Sequence, residues 1–60
     1  MTRVTREDLV NLYPTILCLR ANGFVVQSII AVAFESERLS DGSRLEVPVE
    51  FVIVYDDRAQ

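Results

Sequence analysis

Apolar and polar residues alternate over two segments in the second half of the chain. Val, Ile and Phe dominate residues 24–35 and 45–55, and a short polar segment centred on Asp41-Gly42 separates the two. Asp-Gly between alternating apolar runs is the strongest short-range signal for a β-hairpin. The pattern therefore predicts antiparallel strands over residues 24–38 and 44–55.

The register of the predicted strands follows from their faces, because a one-residue slip sends every side chain to the other side of the sheet. With Asp41-Gly42 as a two-residue type I′ turn, Phe34 lies opposite Val49, and the large apolar residues share one face. Pro48 then occupies a non-hydrogen-bonded position, so its missing N–H points away from the first strand.

A helix is predicted before the hairpin, over residues 5–22. Thr5 is a preferred N-cap with an acid three residues later, and Asn22-Gly23 supplies a left-handed C-terminal turn. Pro14 removes one backbone hydrogen bond, so we expect a kink or a break there. An apolar stripe at helical spacing is expected to pack on the hairpin: Leu9, Leu12, Tyr13, Ile16, Leu17 and Arg20 or Ala21.

One alternative concerns residues 24–37, whose apolar positions also fit a helical period. A third helix there would give an arrangement like a helix-turn-helix. The density of Val, Ile and Phe favours the strand. The elements together predict one small α+β domain over residues 1–60, in the order α-β-β, with frayed ends at Met1 to Thr2 and at residues 56–60.

Association is expected to complete this fold. A chain of 60 residues buries only about 60% of its unfolded surface. The single cysteine, Cys18, excludes an internal disulfide, and the absence of histidine removes the usual zinc ligands. One helix covers only one face of a hairpin, so a homo-oligomer, first of all a dimer, is predicted to form through apolar residues of the second face: Ile29, Ala31, Val52 and Val54. Tyr55, at the end of the other apolar face, is predicted to be a further interface residue. The competing explanation is that these residues reflect β-propensity alone.

The residue inventory argues against catalysis. Without histidine or lysine, only carboxylates, tyrosines, hydroxyls and Cys18 could act on a substrate. Cys18 lies within the helical pattern and is expected to be a buried or half-buried small hydrophobe. Neither a calcium loop nor a paired-carboxylate motif is present in the sequence, so no enzyme activity, cofactor or metal is expected.

The net charge of −3 is concentrated in the hairpin, because residues 24–60 contain seven acids and only three arginines. An acidic surface disfavours nucleic acid. A solvated rim explains these acids most simply, and contact with a basic partner is the functional alternative. The candidates for that contact are Glu35, Glu37, Glu46 and Glu50.

The sequence thus predicts a small acidic interaction protein, an adaptor or an inhibitor of a larger protein, by analogy with accessory inhibitors of phages and mobile elements. A dimeric nucleic-acid-binding or transcription-regulating β-ribbon, or a minor subunit of a larger complex, are the alternatives. The polar N-terminus and the lack of an apolar stretch of roughly 20 residues predict a cytoplasmic protein without a membrane span.

Overall fold

The computed structural model describes residues 1–57. These residues form β1 (Thr2–Asp8), α1 (Leu9–Ala21), β2 (Val25–Arg38) and β3 (Arg44–Asp56). The strands make one antiparallel sheet in the order β1-β3-β2, with β3 in the centre. The predicted α+β class and the hairpin are confirmed. The sheet, however, has three strands instead of two, and a strand precedes the helix.

Residues 2–8 form a strand, whereas the sequence predicted a frayed end at Met1 to Thr2 and a helix from residue 5. β1 pairs along its whole length with β3, from Thr2 opposite Asp56 to Asp8 opposite Glu50. Its alternation of threonine, valine and charged residues suits an edge strand. Asp56 is likewise part of the sheet, and the last three residues of the predicted frayed tail lie outside the described residues.

The helix begins at Leu9 instead of residue 5. Asp8 is its N-cap, and the Asn11 N–H donates to Asp8 Oδ1 at 2.9 Å. Thr5, the predicted cap, belongs to β1 and lies opposite Ile53 of the central strand. Pairing with β3 therefore decides the conformation of residues 5–8, because Asp8 satisfies the capping requirement equally well.

The C-terminal end of α1 agrees with the prediction. The Phe24 N–H donates to the Leu19 carbonyl and the Gly23 N–H to the Arg20 carbonyl, each at 3.0 Å. Gly23 has a φ of 85°, and these two hydrogen bonds define a Schellman motif.

The helix is continuous across Pro14, so of the two predicted alternatives the break is wrong and the kink stays a prediction. Pro14 deprives only the Val10 carbonyl of its intrahelical donor. Both residues lie on the exposed side of α1, where water can satisfy that carbonyl.

The hairpin turn has three residues instead of two. The Leu39 N–H donates to the Ser43 carbonyl at 2.8 Å, and the Gly42 N–H donates to the Leu39 carbonyl at 3.0 Å. Gly42 has a φ of 89°, whereas Asp41 does not have the positive φ that a type I′ turn requires. This is the type I turn with a glycine bulge that is typical of three-residue hairpins.

The longer turn shifts the register by one residue from the prediction. Phe34 lies opposite Pro48, not Val49. The alternation of bonded and non-bonded pairs outward from Leu39 still places Pro48 at a non-hydrogen-bonded position. Its missing N–H therefore faces the free edge of β3, just beyond the end of β1.

One face of the sheet packs against α1. Its centre is Ile53, which is 0% exposed and lies between Thr5 of β1 and Ile29 of β2. The half-buried residues of the helix form a single stripe: Leu12, Thr15, Ile16 and Leu19. The other face, which we call the open sheet face, has no covering element in the described part of the chain, and it contains Val4, Ile30, Val52 and Val54.

The molecule has two halves, which we call the body and the arm. In the body, β1 and α1 flank the hairpin; in the arm, residues 33–49, the hairpin continues as two strands alone. Register shifts on both sides of Ala33 mark the junction. The described chain measures 52 × 18 × 12 Å with a radius of gyration of 14.7 Å, whereas a compact chain of this length would have about 10 Å.

Candidate interaction surfaces

The arm exposes large apolar side chains that no other part of the described chain covers. Phe34 is 53% exposed, and Leu39 and Leu45 expose comparable fractions of their surface. A two-stranded ribbon is marginally stable on its own, because it has no layer against which to pack. The apolar residues of the arm are therefore available to another molecule.

Three of the four predicted acidic contact residues belong to the arm. Glu35 lies opposite Val47 and Glu37 opposite Leu45, so these two acids share a face with apolar residues. Glu46 pairs with Ser36 on the other face. All three acids are exposed, and within residues 1–57 none of them forms an ion pair.

Glu50 differs from the other three acids, because it belongs to the body. It is half-buried and forms an ion pair with Arg6 of β1. Its charge is therefore largely neutralised within the molecule.

Two arginines lie side by side near the tip of the arm. Arg38 and Arg44 are direct partners across the hairpin, and neither contacts an acid among the residues that the structure describes. Like charges directly opposite each other destabilise a strand pair. This pair adds nothing to the stability of the free arm, and it gives the tip a local positive charge.

The predicted apolar interface does not form one surface. Ile29 and Ala31 lie opposite Ile53 and Phe51 on the face that packs against α1, whereas Val52 and Val54 lie on the open sheet face. The one-residue difference in register separates them, since each slip exchanges the faces of one strand. The prediction that these four residues share one face is wrong, and an interface role for each of them stays a prediction.

Tyr55, the fifth predicted interface residue, packs within the body. Its ring meets that of Phe24 edge to face, with centroids 5.4 Å apart and planes at 79°. The contact closes the end of the sheet next to the C-terminus of α1.

Polar groups lie at both ends of the open sheet face. At one end Asp56 accepts hydrogen bonds from Thr2 Oγ1, at 3.0 Å, and from the side-chain amide of Gln27. At the other end is the ion pair of Arg6 and Glu50. The apolar centre of this face is thus narrow and bounded by charges.

The surface of α1 that points away from the sheet is apolar, and we call it the outer helix face. Sequence periodicity placed Leu9, Tyr13 and Leu17 in the packing stripe, but all three are exposed. The error arises because α1 is apolar on nearly every side, so period alone cannot select the face that packs. The residues of the outer helix face are Leu9, Val10, Tyr13, Pro14 and Leu17.

The structure brings together little that could perform chemistry. Cys18 is exposed, contrary to the prediction, and its Sγ accepts a hydrogen bond from Asn22 Nδ2 at 3.6 Å. No group of three or more possible metal ligands is present in residues 1–57.

No helix in the described part of the chain is both long enough and apolar enough to cross a membrane. Comparison with known proteins adds no functional assignment to these surfaces. No protein family, no curated protein and no solved structure matches this chain.

Proposed function

We propose that this protein is a non-catalytic interaction protein, an adaptor or an inhibitor of a larger protein, and that it contacts its partner through the arm. The observation that carries the proposal is the extension of the arm beyond the body, with Phe34, Leu39 and Leu45 exposed. Ordering an unsupported ribbon costs conformational entropy that its own packing does not offset. Burial of these side chains against a partner would offset that cost.

The charges of the arm support a partner with basic groups. Residues 33–49 carry four acids and two arginines, a net charge of −2. Glu35 and Glu37 share a face with apolar residues, so a contact there would combine apolar burial with charge complementarity. Such complementarity governs association rate and specificity more than affinity. An acidic arm could also imitate the charge of nucleic acid toward a nucleic-acid-binding partner.

The residue composition and the exposure of the carboxylates support a non-catalytic role. The sequence has no histidine and no lysine. The carboxylates of the arm are exposed to solvent, whereas general acids and bases typically lie in a cleft.

Affinity capture with three variants tests the proposal. The wild type, an arm variant with Phe34→Ser and Leu45→Ser, and a body control with Val4→Ser are used as bait in extracts of the source cells. Val4 is 62% exposed on the open sheet face, so the control removes an exposed apolar residue outside the arm. We expect a protein in constant stoichiometry with the wild type and the control, and its loss with the arm variant.

Calorimetry on the purified pair then verifies direct binding. Recovery of the same proteins by all three baits would overturn the role of the arm. Turnover of a substrate by the purified protein would overturn the non-catalytic assignment.

A matched pair of charge variants tests the acidic contact. The double substitution Glu35→Gln and Glu37→Gln removes two charges from the arm, and Glu50→Gln with Asp56→Asn removes two from the body. If acids of the arm meet a basic partner, the arm variant associates more slowly at low salt, and the difference shrinks as salt rises. Equal association rates for the two variants at every salt concentration would show that the acids of the arm do not contribute to binding.

The arginine pair favours one second candidate, contact with nucleic acid. Arg38 and Arg44 could meet a phosphate at the tip of the arm, although Glu37 and Glu46 lie beside them. Fluorescence anisotropy with labelled duplex DNA separates the candidates. Salt-sensitive binding that is lost on Arg38→Gln and Arg44→Gln would favour nucleic acid over a protein partner.

A further inference from the structure

The outer helix face is unusual for a surface exposed to water. Val10 is 81% exposed and Tyr13 is 68% exposed, and Leu9 and Leu17 each expose about half of their surface. The single charged residue of α1 is Arg20, in its last turn. A helix that packs on a sheet normally carries charged residues on its solvent side. The composition of α1 is that of a helix buried on both sides.

The isolated chain also exposes more surface than a monomer of its mass. Its accessible surface is 4593 Å² for 6.8 kDa, whereas a folded monomer of that mass exposes about 3,950 Å². The excess, about 600 Å², equals what each partner contributes to the smallest stable interfaces. The arm accounts for a part of this excess, and the exposed apolar side chains of the outer helix face account for another part.

We propose that the outer helix face is the surface through which two copies of this chain form a homodimer. A two-fold axis brings each surface against an identical one, so a surface with several unpaired charges of one sign would repel its own copy. Within α1, the outer helix face borders a single charge, that of the exposed Arg20 in the last turn, and two antiparallel helices place the two copies of Arg20 at opposite ends of the interface. Two copies can therefore bury it despite a net charge of −3 on each chain.

The other two apolar surfaces suit self-association less well. The open sheet face ends in the carboxylate of Asp56 and in the ion pair of Arg6 and Glu50, and its central residues Val52 and Val54 are already half-buried. The arm carries unpaired charges of both signs on each chain. The outer helix face also contains no residue of the arm, so a dimer formed through it would leave both arms exposed. A repeated or dimeric partner could then bind both arms at once, which would raise the overall affinity.

Two oppositely charged double variants test the dimer. Val10→Glu with Leu17→Glu, and Val10→Arg with Leu17→Arg, place like charges on the outer helix face. The matched control, Val4→Glu with Ile30→Glu, puts two acids on the open sheet face at residues that are 62% and 50% exposed. Light scattering after size exclusion gives the mass of each protein at micromolar concentration, and circular dichroism verifies that each is folded.

We expect dimers of the wild type and of the control, and monomers of both outer-face variants, with association weakened by roughly a hundredfold because charges would be buried. Mixing the acidic with the basic variant restores a dimer, whether the two helices run parallel or antiparallel. That rescue requires the two outer faces to meet each other, and unfolding of a variant cannot produce it.

Three results would overturn the proposal: a monomeric wild type at micromolar concentration, a control that dissociates while the outer-face variants stay dimeric, or a mixture that stays monomeric. Binding of a monomeric wild type to phosphatidylcholine vesicles would assign the face to a membrane surface instead. The arm variant, Phe34→Ser with Leu45→Ser, is expected to remain dimeric, so failure of the arm as a binding site leaves this test unaffected.

Discussion

The body and the arm consist of the same two strands, yet only the body has a core. Ile53 of β3 is completely buried, whereas Leu45, eight residues earlier on the same strand, is 48% exposed. Both residues continue an alternating apolar pattern. The difference comes from β1 and α1, which reach Ile53 and end before the arm. Apolar alternation thus specifies a strand, and neighbouring elements decide whether the strand is buried.

Under the proposed function, stability and recognition belong to different halves of one hairpin. The body can hold its fold through Ile53 and the layers around it. In the arm the two strands pair with each other, but no helix or third strand of the described chain packs against them. The structure of the arm therefore depends on the geometry of its turn and on any molecule that it contacts. Four predictions test the division, beginning with the largest effect.

Replacing Ile53 by alanine should unfold most of the molecule. Large-to-small substitution of a fully buried residue costs about 2–5 kcal/mol, which is comparable to the whole stability of a domain this small, about 5 kcal/mol. The control is Ile30→Ala, the same change at a residue that is 50% exposed on the open sheet face. Urea unfolding followed by circular dichroism gives both free energies. Equal losses would mean that the body has no core centred on Ile53.

Replacing Gly42 by alanine should loosen the arm and spare the body. A Cβ at Gly42 meets nothing within 4 Å, so the cost is that of a positive φ, about 1–2 kcal/mol. Hydrogen exchange should accelerate at the amides of Leu45 and Val47 and stay unchanged at Val54.

Gly42→Asn is the control for the turn, because asparagine tolerates this conformation better, and it should accelerate exchange less. Equal acceleration in both halves would show that the arm and the body unfold as one unit.

Removing the helix cap should weaken the body by a smaller amount. Asp8→Ala deprives the Asn11 N–H of its acceptor, at a cost of about 1 kcal/mol. Asp8→Asn retains an acceptor and should stay close to the wild type. The midpoint of urea unfolding measures both. An unchanged midpoint for Asp8→Ala would contradict a helix that begins at Leu9.

The smallest effect concerns pH at the tip of the arm. The side-chain hydroxyl of Ser43, and then its backbone N–H, donate to Asp41 Oδ1, and these hydrogen bonds lower the pKa of Asp41 from its usual 3.8. Because the folded pKa is the lower one, the carboxylate stabilises the turn above pH 3.8, and this contribution is lost as pH falls through the lowered value.

The chemical shift of the Ser43 amide should report that transition, and it should stay constant in Asp41→Asn over the same range. A transition at the ordinary pKa of aspartate would mean that these hydrogen bonds do not persist in solution.

Local sequence determined the features that depend on a few adjacent residues. The density of Val, Ile and Phe favoured β2 and β3 over the alternative of a third helix, and the structure has the two strands. Asn22-Gly23 specified the end of α1, since the Schellman motif needs only a glycine and the carbonyls of the preceding turn. Asp41-Gly42 located the hairpin turn, although it suits turns of two and three residues alike.

Tertiary structure decided the features in which local preferences were balanced. Residues 2–8 can begin a helix or form a strand, and β3 selects the strand by offering a partner at every residue. The helix α1 is apolar on nearly every side, so contact with the sheet chose its buried stripe. The length of the turn set the register and with it the faces of Ile29 and Val52. The physical reason is common to all three: pairing and packing energies come from residues distant in the chain, and they outweigh local propensities that differ little from one another.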